Sequence, residues 1–526
     1  MRLRTRGAGA AALTAVVTLG AAACGGGSSS GSGGDRTMDV RLIADPTTLD
    51  PQSASNVGSL GVANYLYDTP VALREGKIVP SVASSWKVAT TSIEMTIRKD
   101  VTCSDGSKLT VKDVADSIKR LKSPTVTSRM NVFGNVKDFT VAADEAASTV
   151  SVKVSQPYGD LLQGMSQMFI ICRKGLDDPS SLAKTTDGTG PYRLAQSVPG
   201  DHYTLERRAG YTWGPGAAAG GSVKPPAKLV LHVIADDATA VNSFETGGLD
   251  LTDAQGQTAT RLKNSPNATQ KKTSQVDNYT MYLNEGSGRV TSDVNLRRAL
   301  FAGLDRASLA TSVIGPGATV PKTLVLPRGL CYQPDKVGTA MPAYDLNAAR
   351  RYAEAGGYTS SGGKLMKDGK QVSITVLIPS LFGPNIADFL ISSWGKLGVA
   401  VKPVVKPGAD TVRIVSTPKS DWDVYVAGGF NNSPSQLLAT FGSQAPPQGR
   451  NNGSVHNAEF LKRADKASAQ ITTSACDDWS AAEQALYEQA DIIPWGAVNV
   501  TWFGHDVQFS PYLLSAVYPD GLGFKK

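Results

Sequence analysis

The stretch DGSKLTVKDV, residues 105–114, joins a turn directly to the start of a helix. Asp105-Gly106 is a turn pair, because glycine tolerates backbone angles that other residues avoid. The hydroxyl of Thr110 can cap the helix, and Asp113 can return a hydrogen bond in the capping-box pattern. The apolar residues that follow recur at helical spacing: Val111, Val114, Ile118 and Leu121. The stretch therefore predicts a turn followed by an amphipathic helix.

Strand and helix patterns alternate elsewhere in the chain. Strands are predicted where apolar residues alternate: at Ile93, Met95 and Ile97, at Val150, Val152 and Val154, at Leu229, Leu231 and Val233, and at Ile374, Val376 and Ile378. Helices are predicted through Leu296, Ala299, Leu300 and Leu304, from Asp345 to Gly356-Gly357, and through Trp479, Ala482, Leu486 and Ala490 up to Pro494. This mixture favours an α/β protein.

The composition narrows the class of protein. A chain of 526 residues is long enough for at least two domains. The content of 41% hydrophobic and 19% charged residues is typical of a folded protein rather than a multi-span membrane protein. The formal net charge is +7, and Arg2, Arg4 and Arg6 supply three of these charges. So small an excess, without a basic block that includes aromatic residues, argues against nucleic-acid binding.

The first 34 residues resemble the export signal of a bacterial lipoprotein. Three arginines precede an apolar run at 8–19, and Ala21-Ala22-Ala23 precedes Cys24. The run is shorter than the roughly 20 residues of a membrane-spanning helix. We expect a signal peptide over 1–23, a lipidated Cys24, and a flexible Gly/Ser tether over 24–37. Ala21 stands where lipoproteins usually carry leucine, and simple secretion is the alternative.

The remaining four cysteines can form two disulfides. Disulfides persist in exported proteins, and no Cys/His spacing here indicates a zinc site. Of three possible pairings we favour Cys103 with Cys172 and Cys331 with Cys476, because the members of each pair fall in one region of the sequence. Free buried thiols are the alternative.

Further motifs flank residues 105–114 in a fixed order. They are Thr48-Leu49-Asp50-Pro51, Asn64-Tyr65-Leu66-Tyr67-Asp68-Thr69-Pro70, Pro80-Ser81-Val82-Ala83-Ser84-Ser85-Trp86, Gly188-Thr189-Gly190-Pro191-Tyr192, Asp293 with Leu296-Arg297-Arg298-Ala299-Leu300, and Tyr344-Asp345-Leu346. From about residue 39 to 496 their order and spacing resemble those of the extracytoplasmic solute-binding proteins of the peptide/nickel class, family 5. That family delivers oligopeptides and related solutes to ABC importers.

The resemblance implies a periplasmic-binding-protein-like fold, with two mixed α/β lobes joined by a two-strand hinge and an inserted third region. We place lobe I at 38–72, 185–284 and 496–526, region II at 73–184, and lobe III at 285–495. The hinge strands would cross near 279–284 and 494–498. The implied partners are a small-molecule or peptide ligand and the permease subunits in the membrane. The protein would be a monomer, held on the outer face of the membrane by its lipid. No cofactor is implied.

The segment 423–434 is the most informative about the ligand. In peptide-binding relatives, the corresponding run resembles a motif whose aspartate holds the α-ammonium group of the peptide, and here that position is Phe430. No carboxylate occurs between Asp423 and Glu459, so recognition of a free amine is in doubt. Phe430, Asn431 and Asn432 suggest a neutral or amine-blocked solute, a modified peptide or a sugar-like compound. The alternative is that Phe430 only packs against neighbouring side chains and that another part of the chain supplies the group that binds the amine.

The resemblance alone suggests further residues that would line the ligand-binding cleft. They are Ser53, Ser55, Asn56, Arg413, Tyr425, Trp495 and Asn499. Arg413 could meet a carboxylate or could be a solvated residue, and Trp495 could equally be hinge packing.

The sequence offers little support for an enzyme. Its four histidines are His202, His232, His456 and His505, and no two of them have the i, i+4 spacing of a helix-borne metal site. No phosphate-binding loop of an ATPase is present, which agrees with ATP hydrolysis by a separate subunit. A binder of a nickel or haem chelate in the same family and, more remotely, a secreted hydrolase are the alternatives.

Overall fold

The computed structural model describes residues 36–54, 56–134, 136–215, 223, 225–429, 431–513 and 516–525. The strands are β1 (Thr37–Leu42), β2 (Val71–Arg74), β3 (Lys77–Pro80), β4 (Ala83–Ala89), β5 (Ser92–Ile97), β6 (Phe139–Asp144), β7 (Thr149–Val154), β8 (Tyr192–Val198), β9 (His202–Arg207), β10 (Lys228–Val233), β11 (Leu251–Ala254), β12 (Gln270–Leu283), β13 (Thr359–Ser361), β14 (Lys364–Lys367), β15 (Lys370–Gln371), β16 (Ser373–Pro379), β17 (Ala400–Lys406), β18 (Val424–Gly429), β19 (Ile492–Gly504), β20 (Val507–Gln508), β21 (Pro511–Leu513), β22 (Ala516–Val517) and β23 (Gly523–Phe524).

The α-helices alternate with these strands. They are α1 (Val57–Leu66), α2 (Val111–Arg120), α3 (Arg129–Phe133), α4 (Leu161–Met165), α5 (Arg173–Asp177), α6 (Asp237–Glu245), α7 (Gly256–Lys263), α8 (Val294–Ala302), α9 (Arg306–Val313), α10 (Pro334–Val337), α11 (Leu346–Ala355), α12 (Asn385–Gly395), α13 (Gly408–Val415), α14 (Ala458–Ser468) and α15 (Cys476–Glu488). The predicted mixed α/β class is confirmed.

The largest sheet has ten strands in the order β17-β16-β18-β12-β19-β11-β1-β10-β9-β8. On one side β16 pairs in parallel with β17 and β18, and on the other side β1 pairs in parallel with β10 and β11. Between these two regions, β12 and β19 pair in antiparallel fashion with each other. The sheet therefore consists of two mixed regions that share one central pair of strands.

The central pair runs from one region into the other. β18 pairs with β12 at 278–283, whereas β11 pairs with the opposite end of β19, at 501–504. Bulges interrupt the register between Gln275 and Asp277 and between Tyr279 and Thr280. Because a bulge bends a strand and increases its twist, these positions are suited to a hinge.

The three largest hydrophobic clusters form three separate cores, and we use the names lobe I, region II and lobe III for the parts built around them. The clusters include Val40, Leu229 and Val500 in lobe I, Ile93, Ile118 and Val152 in region II, and Leu300, Val376 and Leu486 in lobe III. Region II has its own four-stranded sheet, in the order β4-β5-β7-β6. Ile171 and Leu182 pack in the lobe I cluster, so the exact boundaries stay predictions.

Local signals in the sequence place the start of α2 and both ends of α11 correctly. The Thr110 side chain caps α2 and Asp113 returns the hydrogen bond, as predicted. The predicted stop at Pro494 is wrong, because α15 already ends at Glu488 and Pro494 lies inside β19. Proline is tolerated there because it lies opposite the bulge at Thr280, where the ladder of hydrogen bonds is already irregular.

Both disulfides have the pairing that the sequence favoured. Cys103 is bonded to Cys172 inside the region II cluster. Cys331 is bonded to Cys476, which starts α15 in lobe III. Each bridge therefore lies within one part of the molecule.

Candidate functional site

A cavity of about 320 Å³ lies between lobe I, region II and lobe III. Helix α1 and the chain after it form one wall, region II forms a second, and the C-terminal strands form a third. The lining residues include Asn64 and Tyr67 of lobe I, Gln163 and Phe169 of region II, Tyr512 and Tyr518 near the C-terminus, and Arg328 and Asn432 of lobe III. A solute in this space would contact all three parts.

Most charged side chains in the cavity wall already have partners. Arg74 donates two hydrogen bonds to Asp520, at 2.6 and 3.0 Å, and its guanidinium lies 4.0 Å from the centre of the Tyr518 ring. Asp68 accepts hydrogen bonds from Tyr211 at 2.7 Å and Trp213 at 2.9 Å. Burial raises the pKa of Asp68 to about 6, and these hydrogen bonds partly oppose the effect.

Arg328 is different, because its charge has no adjacent partner among the residues that the structure describes. Its Nε donates to Oδ1 of Asn432 at 3.2 Å. The two terminal nitrogens have no solvent contact and no hydrogen-bond acceptor within the described part of the chain. Burial lowers the pKa of Arg328, and the more distant charge of Asp277 opposes the shift.

Asp277 lies at the bulge of β12, beside the end of β18. Its Oδ1 accepts a hydrogen bond of 2.7 Å from the backbone nitrogen of Gly429. A side chain at Gly428 would begin only 2.7 Å from Oδ2, so glycine there leaves room for the carboxylate. Burial raises the pKa of Asp277 to about 6. The neighbouring strand thus places a carboxylate beside Gly428 and Gly429, although Asp277 is not among the described residues that line the cavity.

Region II and lobe III meet through a second carboxylate, that of Asp160. It is 2% exposed, and its Oδ2 accepts hydrogen bonds from the hydroxyls of both Ser433 and Ser435. Its Oδ1 has no partner among the described residues. Burial raises the pKa of Asp160 to about 6, and the two serine hydrogen bonds oppose this rise.

A close backbone contact lies next to this carboxylate. The carbonyl of Gly159 accepts a hydrogen bond of 3.3 Å from the nitrogen of Thr472. A Cβ at Gly159 would lie 1.9 Å from the carbonyl oxygen of Gln470, so only glycine fits. Region II and lobe III are therefore in direct contact beside the cavity, in a closed arrangement.

Two predicted wall residues near α1 have local roles. Ser53 donates to Asp50 at 2.9 Å and to the carbonyl of Thr125 at 3.2 Å. Asn56 caps α1, where its Oδ1 accepts from the nitrogen of Ser59 at 2.8 Å. Neither residue lines the cavity.

The predicted residues of lobe III and the hinge divide into two groups. Asn432 lines the cavity, and the adjacent Asn431 donates to the carbonyl of Leu324 at 3.2 Å. Trp495 is fully buried in the lobe III cluster, and its ring centre lies 5.2 Å from that of Tyr279. Of the two roles predicted for Trp495, the structure therefore supports packing at the hinge rather than contact with a solute.

Three more predicted side chains lie away from the cavity. Arg413 is exposed on α13 and contacts Asp410 at 3.3 Å, so it is a solvated helix residue. Tyr425 is buried on β18. Asn499 is half-buried on β19 opposite Gln275.

Cys24, Ser55 and Phe430 lie outside the described residues, so the structure does not place these three predicted positions. Among the described residues, no helix is long and apolar enough to cross a membrane. Within the same residues, no group of three or more His, Cys, Asp and Glu side chains is arranged to hold a metal ion.

The sequence reasoning missed Arg328, Asp277 and Asp160. Arg328 and Asp160 stand in loops without a motif, and nothing in their spacing distinguishes them from surface charges. Asp277 could have been found only by pairing its strand with 424–429, since the two segments are about 150 positions apart.

Comparisons with known proteins place the chain in a family and identify structures of similar fold. A family model described as the middle part of family 5 of the bacterial extracellular solute-binding proteins matches residues 77–448. Protein XP55 of Streptomyces lividans is 28% identical over 368 residues, 65% of this chain and 64% of that protein. The periplasmic oligopeptide-binding protein OppA of Haemophilus influenzae is 23% identical over 490 residues, 86% of each chain.

A solved structure agrees in fold. A substrate-binding protein from Microbacterium hydrocarbonoxydans, complexed with 4-hydroxybenzoate hydrazide, has a TM-score of 0.73 and 24% identity. The match covers 93% of this chain and 100% of that chain. At this identity the comparison shows a shared architecture and carries no information about the ligand.

Proposed function

The chain belongs to the bacterial extracellular solute-binding proteins of family 5, and on this premise we propose that it captures an oligopeptide or related small solute in the interlobe cavity and delivers it to the permease of an ABC importer. The observation that carries the proposal is the cavity itself, whose walls come from lobe I, region II and lobe III. A solute bound between separate lobes gains contacts on closure, so it stabilises the closed state by its differential affinity.

The size of the cavity favours a small cargo. Ligand pockets range from about 300 to 1,000 Å³, and this one, at about 320 Å³, lies at the lower end. A short peptide or a comparably small solute fits this space better than a long extended peptide.

Asp277 is a candidate partner for an amine, although it is not among the described residues that line the cavity. A buried ammonium group needs a carboxylate, and Oδ2 of Asp277 accepts no hydrogen bond from the described residues. The strand pairing sets this oxygen beside Gly428 and Gly429, in the segment where peptide-binding relatives carry their aspartate. A cargo with a free amine is thus compatible with this chain.

A non-peptide aromatic solute is the second candidate. The observation that favours it is the number of aromatic side chains in the cavity wall: Tyr67, Phe169, Tyr211, Tyr512 and Tyr518. Aromatic rings provide a large apolar contact area and preferred stacking geometries. The solved relative that carries an aromatic hydrazide supports this candidate as an analogy of fold only.

The proposal is tested by native mass spectrometry of the protein as purified, followed by calorimetric titration with short peptides and with aromatic hydrazides. We expect a non-covalent adduct of low mass and saturable binding of one class, with every solute recovered unchanged. Hydrolysis of a solute would favour the hydrolase alternative, and a failure of both classes to bind would contradict the proposal.

We further propose that Cys24 carries the lipid that holds a monomer on the outer face of the membrane. The sequence around Cys24 supports this assignment. Without a lipid on this residue, the protein would not be held on the membrane and would be released from the cell surface. Fractionation of cells that express the chain or its Cys24→Ala variant tests the anchor. We expect the variant in the medium or periplasm, and retention of both proteins in the membrane would refute the role of Cys24.

A further inference from the structure

Arg328 lies in the chain between α9 and α10 and reaches into the cavity from the lobe III side. Asn432 accepts from its Nε and so orients the guanidinium plane. The two terminal nitrogens, each of which can donate two hydrogen bonds, have no acceptor among the described residues and no contact with solvent. Four of the five N–H donors of this guanidinium therefore have no acceptor in the described part of the chain.

An arginine in this position stays charged, because the pKa of a guanidinium is far above neutral even after burial lowers it. A buried charge without a counter-ion is destabilising unless a ligand or water compensates it. Asp277 acts on Arg328 only from beyond ion-pair distance. The other cation in the cavity wall, Arg74, is already bound to Asp520.

We propose that the terminal nitrogens of Arg328 bind a carboxylate group of the transported solute through two parallel hydrogen bonds, an assignment that rests on the function proposed above. The planar fork of a guanidinium matches a carboxylate in this way. Because Arg328 is the one cation in the described cavity wall without a counter-ion, a singly charged carboxylate balances the site, whereas a dianionic phosphate leaves an excess negative charge.

Asp277 interacts electrostatically with Arg328 without forming an ion pair, but it is not among the described residues that line the cavity, so the carboxylate of the solute is assigned to Arg328 alone. Amino-acid derivatives and short peptides with a free carboxyl end carry such a carboxylate.

The experiment uses an ultrafiltered casein digest and the same digest after methyl esterification of its carboxyl groups. The mature protein is incubated with each digest, separated from unbound solutes, and its retained compounds are identified by mass spectrometry. We expect the protein to retain peptides from the unesterified digest and none of the corresponding methyl esters from the esterified digest.

Two variants of Arg328 make the test specific. Arg328→Met removes the charge at similar length and should lower retention about tenfold or more, while raising the melting temperature of the unliganded protein because an unpaired buried charge is lost. Arg328→Lys keeps the charge but lacks the planar fork of the guanidinium. It should retain an amount of digest peptides between that of the wild type and that of Arg328→Met. Arg193→Met, at an exposed pair with Glu206 on β8, is the matched control and should retain the wild-type amount.

The outcomes separate this proposal from the general function. If the wild-type protein retains compounds equally from both digests, or if Arg328→Met retains as much as the wild type, the protein binds solutes but the role of Arg328 is refuted. Retention of phosphorylated peptides from the esterified digest, in which the carboxylates are blocked, refutes it as well. If the wild-type protein retains nothing from either digest, both the proposed peptide cargo and the proposed role of Arg328 are refuted.

Discussion

The hydroxyl of Ser433 in lobe III donates a hydrogen bond to the carboxylate of Asp160 in region II. Ser435 donates to the same oxygen, so one buried carboxylate holds two residues of the opposite lobe. We expect this contact to stabilise the closed arrangement independently of any solute, so that solute affinity should also depend on residues that do not touch the solute.

Replacing both serines should weaken solute binding. In the Ser433→Ala, Ser435→Ala double variant, the Asp160 carboxylate loses its donors, at a cost of about 1–3 kcal/mol in the closed state. We expect roughly tenfold or greater loss of affinity in calorimetry, and a larger radius of gyration in X-ray scattering. Ser84→Ala, at an exposed hydroxyl on β4, is the control. Unchanged affinity in the double variant would contradict this role for Asp160.

Asp160 should also make stability depend on pH. Burial raises the pKa of Asp160 to about 6, above its ordinary value of 3.8. The native protein therefore binds this proton more readily than the unfolded chain does, so the contribution of Asp160 to stability is full below about pH 4 and is lost as the pH rises through about 6.

The measurement for Asp160 is denaturant unfolding at several pH values between 4 and 7. Asp160→Asn keeps an oxygen that can accept from both serines but cannot titrate. We expect the free energy of unfolding of the wild type to fall more steeply with rising pH than that of the variant. Asp68 and Asp277 have raised pKa values as well, so the slope should decrease without vanishing. Identical slopes would show that Asp160 titrates normally.

Gly159→Ala should prevent full closure. The added Cβ would lie 1.9 Å from the carbonyl oxygen of Gln470, which belongs to the backbone and cannot rotate away. We expect weaker solute binding and a more open molecule in scattering, with little change in secondary structure by circular dichroism. Gly395→Ala is the matched control, since nothing lies within 4 Å of the Cβ it adds. Wild-type affinity in Gly159→Ala would mean that the binding-competent state lacks this contact.

The two disulfides should differ in their effect on binding. Replacing Cys103 and Cys172 by serine releases a loop of 69 residues and should lower the free energy of unfolding by roughly 4 kcal/mol. Binding should persist at a temperature where the protein is folded, because both residues lie inside the region II cluster.

Removing the second bridge should affect stability and binding together. Cys331 is three positions from Arg328 and is tied to the start of α15 by Cys476. Without this bridge the chain that carries Arg328 is less constrained, so we expect lower affinity as well as lower stability. Equal affinity in the two double-serine variants, measured by calorimetry, would contradict this difference.

Much of the fold could be predicted from local sequence. The capping box of Thr110 and Asp113 acts over three residues, and the alternation at Ile93, Met95 and Ile97 reports one buried face of a strand. Such signals depend only on the period of a helix or strand, so one sequence is enough to find them. The predicted helix stop at Pro494 failed because the strand bulge that tolerates this proline is formed by residues more than 200 positions away.

The site was less predictable than the fold. Arg413 was predicted as a possible partner of a carboxylate, but it is an exposed helix residue, and the unpaired guanidinium in the cavity belongs to Arg328. Ser53 and Asn56 follow a family motif, but the structure gives them local roles. Ser53 donates a hydrogen bond to Asp50, and Asn56 caps helix α1. Of the predicted wall residues that the structure describes, Asn432 is the one that lines the cavity.

Local patterns and an ordered series of motifs were sufficient to establish the α/β class, the family and the favoured pairing of the cysteines, because each depends on residue type and spacing along the chain. The positions of Asp277 and Asp160 were decided only when β12 paired with β18 and lobe III packed against region II. Burial and distance, rather than residue type, determine whether a carboxylate or a guanidinium is solvated, paired or left for a ligand, and both arise from contacts between distant segments.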